Sequence, residues 1–145
     1  MILVDANILL YAKLAGFKEH ARARVWLDDI LNSSSRCGIP WERAVAFIRI
    51  STNPRVFERP LGIQAAWQQV KEWLSRSNVW VPAATEEHLE FLNELIPYCA
   101  GNAGLIHDAH LAAIARCHGL TIFSADSDFA RFPKVKWENP IRPEV

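Results

Sequence analysis

The chain lacks the features that would place it in several large classes. Among its 145 residues no apolar run is long or unbroken enough to span a bilayer. No basic stretch followed by an apolar core and a small-residue cleavage site opens it, so secretion is not expected. Cysteine is sparse: Cys37, Cys99 and Cys117 form an odd set without a C-x-x-C pair. That argues against a zinc finger or a disulfide framework, and for reduced thiols in a cytoplasmic protein. Net charge is lacking too, with sixteen basic residues against sixteen acidic ones. Nucleic-acid binders are often basic overall, so this balance counts against a broad electrostatic grip. It leaves room for an acidic pocket offset by basic residues around its rim. Repeats and low-complexity segments are absent, and 50% of the residues are hydrophobic. One domain over residues 1–145 with a core of its own is expected.

What is present starts at residue 1. Met1-Ile2-Leu3-Val4 is an all-apolar run that suits a strand buried on both faces, as in a parallel sheet covered by helices. Asp5 follows at once, where that strand ends and a helix over residues 7–15 begins. Gly16 breaks that helix. Residues 18–32 form a second, with Ala21, Val25, Leu27, Ile30 and Leu31 at helical spacing. Residues 37–39 read as a short strand. Pro40 opens a third helix over residues 41–51, which Asn53-Pro54 ends.

Residues 63–76 are amphipathic, with Ala66, Val70, Trp73 and Leu74 on one side. A strand at residues 79–81 closes at Pro82, and Thr85 is placed to cap the next helix. After the Gly101–Gly104 break, residues 105–118 form a helix ending at Gly119, a natural left-handed terminator. Residues 120–123 form a strand, followed by Ser124-Ala125-Asp126-Ser127-Asp128-Phe129. A short helix to Phe132 and a last strand at residues 135–137 finish the chain. Strands alternating with helices predict an α/β domain with a parallel sheet layered between helices.

Four acids then stand at element ends: Asp5, Glu42, Asp108 and Asp126. Each has a structural role open to it. Asp5 and Asp126 can cap helices, and Glu42 and Asp108 suit the positive first turn of a helix. Together they mean more. Strand ends and the helix starts that follow share one edge of a parallel sheet, which gathers Asp5 and Asp126 there with Asp128 two residues on. Two like charges about 4 Å apart cost on the order of 4 kcal/mol at an effective dielectric of about 20. A cation relieves that cost, and oxygen-only ligands select a hard ion such as Mg²⁺ or Mn²⁺. Such ions commonly act on phosphates, so metal-dependent phosphoryl chemistry is the expectation. On the same argument, removing the charge of Asp5 or Asp108 should leave the metal-free fold intact or slightly more stable.

In that order these segments resemble the PIN-domain ribonucleases of the VapC toxin family. The matching pieces are Met1-Ile2-Leu3-Val4-Asp5-Ala6-Asn7, Trp41-Glu42-Arg43, Asp108-Ala109-His110-Leu111-Ala112-Ala113 and Ser124-Ala125-Asp126-Ser127-Asp128-Phe129. Residues 46–57 also resemble one branch of the family. The resemblance implies a PIN-like three-layer α/β/α fold with a central, mostly parallel sheet. It implies Asp5, Asp108 and Asp126 as metal ligands, with Glu42 completing an acidic catalytic quartet. Asn7, Ser124 and Asp128 would support them; the family commonly has Thr where this chain has Ser124. The implied activity is endoribonucleolytic, with Mg²⁺ or Mn²⁺ as cofactor and Glu42 or Asp126 taking the proton of the attacking water. A homodimer masked by a VapB-type antitoxin is the implied assembly.

Beyond the quartet, His107, Arg43 and Arg49 are candidate substrate contacts. Arg55 and Arg131 could extend a basic rim for RNA phosphates, though each also reads as solvated surface. His110 is expected to pack against the domain, since His107 and His110 alone are too few for zinc. Trp26, Trp67 and Trp73 fall at core spacing, and any tryptophan left exposed would mark an interface. Three competing readings remain. A haloacid-dehalogenase-like phosphatase also opens with an Asp after an apolar strand, but it wants a second Asp where this chain has Asn7. The others are a PIN nuclease acting on DNA or in other RNA processing, and a PIN fold kept as a non-catalytic binding module.

Overall fold

Ile2, Leu3 and Val4 form β1 (Ile2–Val4), and their side chains divide the molecule in two. Ile2 and Val4 face one hydrophobic cluster and Leu3 the other, so a strand with no polar alternation still obeys a period of two. The computed structural model describes residues 1–142. Its sheet adds β2 (Cys37–Gly38), β3 (Val79–Trp80), β4 (Thr121–Phe123) and β5 (Lys136–Glu138). The order is β3-β2-β1-β4-β5, every pairing is parallel, and β1 lies at the centre. Among the described residues no helix is long and apolar enough to cross a membrane.

Among the described residues six α-helices cover the two faces of this sheet: α1 (Ala6–Lys13), α2 (His20–Leu31), α3 (Trp41–Ser51), α4 (Ile63–Leu74), α5 (His88–Leu95) and α6 (Ile106–His118). The first four helices supply Ile8, Leu27, Phe47 and Trp73 to the cluster that holds Ile2 and Val4. The last two supply Leu95, Leu111 and Ile114 to the cluster around Leu3 and Ile122. The predicted α/β/α layering is observed, with an all-parallel sheet among the described residues. β2 needs its glycine: a Cβ at Gly38 would lie 2.9 Å from Pro82 Cγ, below any ordinary contact. α6 ends at Gly119 with φ of 65°, as its composition predicts.

Three local expectations are corrected. α2 buries Ala23, Leu27 and Leu31, a stripe of i, i+4 and i+8, so Ala21 and Val25 face solvent. In α4 the buried stripe is Ala66, Val70 and Trp73; Trp67 is one residue off it and stands 39% exposed. Trp73 packs edge-on against Phe47 and Trp26 stacks on Phe123, as their spacing implied. Thr85 does not cap α5, which starts at His88. Its hydroxyl accepts the Glu87 N–H at 3.3 Å and its carbonyl accepts the His88 N–H at 3.0 Å, so it shapes the turn ahead of the helix. The three cysteines are free, and burial pushes the Cys37 thiol up to about 12, which leaves it an inert core group.

Candidate active site and metal centre

Register builds the site. β1 and β4 are aligned so that Val4 lies opposite Phe123, and the Asp5 N–H donates to the Phe123 carbonyl at 3.0 Å. The next residues, Asp5 and Ser124, therefore meet at the same sheet edge. Ser124 is fully buried and sits at the centre of the hydrogen bonding there. Its hydroxyl donates to Asp5 Oδ2 at 2.7 Å and accepts from Asn7 Nδ2 at 3.1 Å and from the Asp126 N–H at 3.0 Å. Asn7 Oδ1 accepts the Ala125 N–H at 3.2 Å, which ties the start of α1 to the end of β4. Ser124→Ala would strip a buried carboxylate of its hydroxyl donor and leave two further donors unmatched. It is expected to lower stability by about 2–3 kcal/mol, read as a reduced urea midpoint at unchanged m-value.

The structural roles of the acids are all realised at once. Asp5 caps α1, its Oδ1 accepting the Ala6 N–H at 2.8 Å. Asp126 caps the 3₁₀ turn Ser127–Arg131 through the Asp128 N–H at 2.9 Å. Glu42 and Asp108 occupy the first turns of α3 and α6. Capping does not exhaust them. Asp108, Asp126 and Asp128 each bring one carboxylate oxygen within 4.8 Å of the other two. The Asp108 carboxyl is pushed up to about 6, chiefly by burial and then by the charge of Asp126, with Asp5 and Asp128 adding to it against the pull of Arg43. Burial and then neighbouring negative charge disfavour the carboxylate there, and the donors are all hard oxygens. A divalent ion of the Mg²⁺ or Mn²⁺ class fits them.

Asp128, expected to support the ligands, brings its carboxylate into the compact acidic trio. Arg43, a candidate substrate contact, lines the groove and also reaches Asp5 and Asp108. Its Nε lies 3.2 Å from Asp5 Oδ1 and its Nη2 lies 3.6 Å from Asp108 Oδ1. The Nε hydrogen is not aimed at the carboxylate, so that atom is buried without a true hydrogen bond and the pairing is electrostatic. The same Nη2 donates to the His107 carbonyl at 3.3 Å. Arg131 pairs with Asp128 at 3.2 Å, and Arg55 is exposed.

An open cavity of about 580 Å³ lies over the acids, lined among others by Glu42, Arg49, His107, Asp108, Asp126 and Asp128. Glu42 stands on its wall, half-exposed, 4.0 Å from His110 Nε2. His110 is also hydrogen-bonded to His88, a residue that no sequence spacing marks. Only the packing of α5 on α6 brings the two rings together across 22 positions.

Residues 2–135 match the PIN domain family. The sequence is 40% identical to Ribonuclease VapC37 of Mycobacterium tuberculosis over 140 residues, 97% of each chain. Among solved structures, the complex VapBC2 of Rickettsia felis bound to a DNA fragment from its promoter contains a chain with a TM-score of 0.67 and 18% identity, covering 96% of this chain and 98% of that one. VapC20 of Mycobacterium tuberculosis, described as a sarcin–ricin loop cleaving toxin, superposes with a TM-score of 0.63 at 20% identity, covering 94% and 99%. At those identities the structures share the fold. With the family matched over nearly its whole length and a relative at 40% identity along it, this chain belongs to the PIN-domain family and to its VapC branch.

Proposed function

We propose that the chain is a metal-dependent endoribonuclease, the toxin of a toxin–antitoxin pair that a VapB-type protein silences. The observation that carries this reading is the acidic trio beneath an open groove, with Asp108 destabilised as a carboxylate by burial and then by its neighbours. The ribonuclease name of the 40% identical relative supports RNA as the substrate. Asp108, Asp126 and Asp128 would hold Mg²⁺ or Mn²⁺, with Asp5 beside them. When bound, such an ion neutralises charge at a phosphodiester and lowers the pKa of a water. Asn7 and Ser124 orient Asp5 and Asp126 by the hydrogen bonds described. Glu42 lies outside the trio with its carboxylate at the groove beside His110, and it takes the proton of the attacking water. Arg49 and His107, exposed on the wall, meet the RNA backbone.

Exposed apolar side chains support protein partners, a second copy and an antitoxin. Trp41 and Val45 lie one turn apart on α3, and Ile63 and Trp67 one turn apart on α4. Aromatic side chains of this kind are enriched in interfaces.

Purified protein given a mixed tRNA and rRNA pool with Mg²⁺ or Mn²⁺ is expected to produce discrete cuts that EDTA abolishes. The ion alone should also raise the melting temperature, because ligand bound only to the folded state stabilises it. A folded protein that leaves the pool whole with both ions, and melts at the same temperature with and without them, overturns the reading.

A further inference from the structure

Four polar side chains on three helices form a line that ends at the groove. Cys117 Sγ lies 3.9 Å from His88 Nδ1, within hydrogen-bonding range for sulfur. His88 Nε2 and His110 Nδ1 are 2.9 Å apart, with the two rings edge-on at 85°. His110 Nε2 then faces Glu42 Oε1 at 4.0 Å. His88 opens α5, Glu42 lies in α3, and the other two belong to α6. Among the described residues, His110 is the one charge partner that Glu42 has.

A hydrogen bond between two neutral imidazoles has one donor and one acceptor, so only two proton arrangements exist. In one, His110 Nδ1–H donates to His88 Nε2. That leaves the Nε2 lone pair of His110 facing a carboxylate, and two acceptors repel. In the other, His88 Nε2–H donates to His110 Nδ1, and the remaining proton of His110 sits on Nε2, pointed at Glu42. The far end agrees: His88 Nδ1 is then an acceptor, and the Cys117 thiol can donate to it. Burial, and then His110, lower the pKa of His88 against the opposing charge of Glu42, which favours its neutral form.

We infer that His88 and His110 are positioning residues: His88 and the facing Glu42 carboxylate together fix His110 as its Nε2–H tautomer, and that N–H holds the Glu42 carboxylate against the groove. The 4.0 Å separation is longer than a hydrogen bond, and a rotation of the half-exposed Glu42 side chain would close it. This is the logic by which a base is oriented by a third group, applied to a carboxylate. The consequence for turnover rests on the ribonuclease reading; the proton arrangement does not.

The test therefore has two arms on the full-length chain. The first is nitrogen-15 histidine NMR of the metal-free protein at about pH 8, above the ordinary imidazole pKa of about 6.5. His110 is expected to carry its proton on Nε2, and Glu42→Ala is expected to shift it toward a mixture of tautomers. A proton on Nδ1, or a His110 signal indifferent to Glu42→Ala, overturns the inference. The second arm is RNA cleavage kinetics. His110→Ala is expected to lower kcat by about tenfold to a hundredfold with KM within about threefold, as for a misaimed proton acceptor. His110→Gln keeps a donor near the Nε2 position and is expected to recover most of that loss. A glutamine variant as slow as the alanine one overturns the inference. Should the wild-type chain cut no RNA at all, the ribonuclease reading fails, and the NMR arm still decides whether the two histidines hold Glu42.

Discussion

Asp108→Asn is expected to abolish metal-dependent RNA cleavage and at the same time to make the metal-free protein more stable at neutral pH. The cleavage effect follows from taking a charged oxygen out of the Asp108, Asp126 and Asp128 trio; two to three factors of ten correspond to about 3–4 kcal/mol of transition-state stabilisation. The stability effect follows from the carboxyl itself. Its pKa rises from 3.8 to about 6 on folding, so the folded state binds that proton more tightly than the unfolded chain does. Stability from this group is fully present below about pH 4 and is lost as the pH climbs through about 6. At pH 7.5 in EDTA the charged Asp108 therefore costs the fold about 1–3 kcal/mol, which an amide does not. For a chain of this size the variant should melt a few degrees higher, about 3–8 °C. Scanning calorimetry in EDTA between pH 4 and pH 8 checks it. A variant that melts lower than wild type at pH 7.5 would show that Asp108 is compensated, and would remove the electrostatic case for a metal there.

Asp5→Asn should behave differently, against the expectation that the two acids are equivalent. Asp5 is 5% exposed, receives the Ala6 N–H and the Ser124 hydroxyl, and faces Arg43. An amide must turn its NH₂ toward one of those donors, so this variant is expected to lose about 1–3 kcal/mol rather than gain.

The second large effect concerns Arg43. Its guanidinium sits between Asp5 and Asp108, occupying with a fixed organic cation the region where the acids would otherwise recruit an inorganic one. Arg43→Met keeps the aliphatic stem and removes the charge. The metal-free variant is expected to lose about 2–3 kcal/mol, somewhat less than the cost of breaking a fully buried ion pair because the groove is open. Its affinity for Mg²⁺ should rise by about tenfold, or about 1.4 kcal/mol. The readout is melting temperature against Mg²⁺ concentration: the variant starts lower and gains more. A variant that binds Mg²⁺ more weakly than wild type would make Arg43 a support for the ligands instead of their competitor.

Much of the frame was legible because short-range chemistry settled it. An apolar run, an acid and a helical stripe can only be a buried strand feeding a capped helix, so Asp5 was placed by its own neighbours. Asp126 followed from the same pattern at β4. What escaped depended on rotation about a helix axis, which composition leaves loose by a residue. α2 turned Val25 outward, α4 left Trp67 in solvent, and α3 brought Arg43 against Asp5 as well as to the groove. His88 was invisible for another reason: its meaning comes from a ring on a different helix, and no local pattern records that partner.

The bond from Ser124 to Asp5 joins residues 119 apart, and it depends on β4 reaching the side of β1. During synthesis, at about 5–20 residues per second, the amino-terminal helices can form long before that strand leaves the ribosome. While Asp5 and Glu42 are already in the chain and Asp126 and Asp128 are not, the nascent polypeptide carries no assembled acidic centre. Under the proposed activity, a ribosome making this protein is safe from its own product until Ser124, Asp126 and Asp128 have been added, and a fragment that stops before Ser124 is harmless.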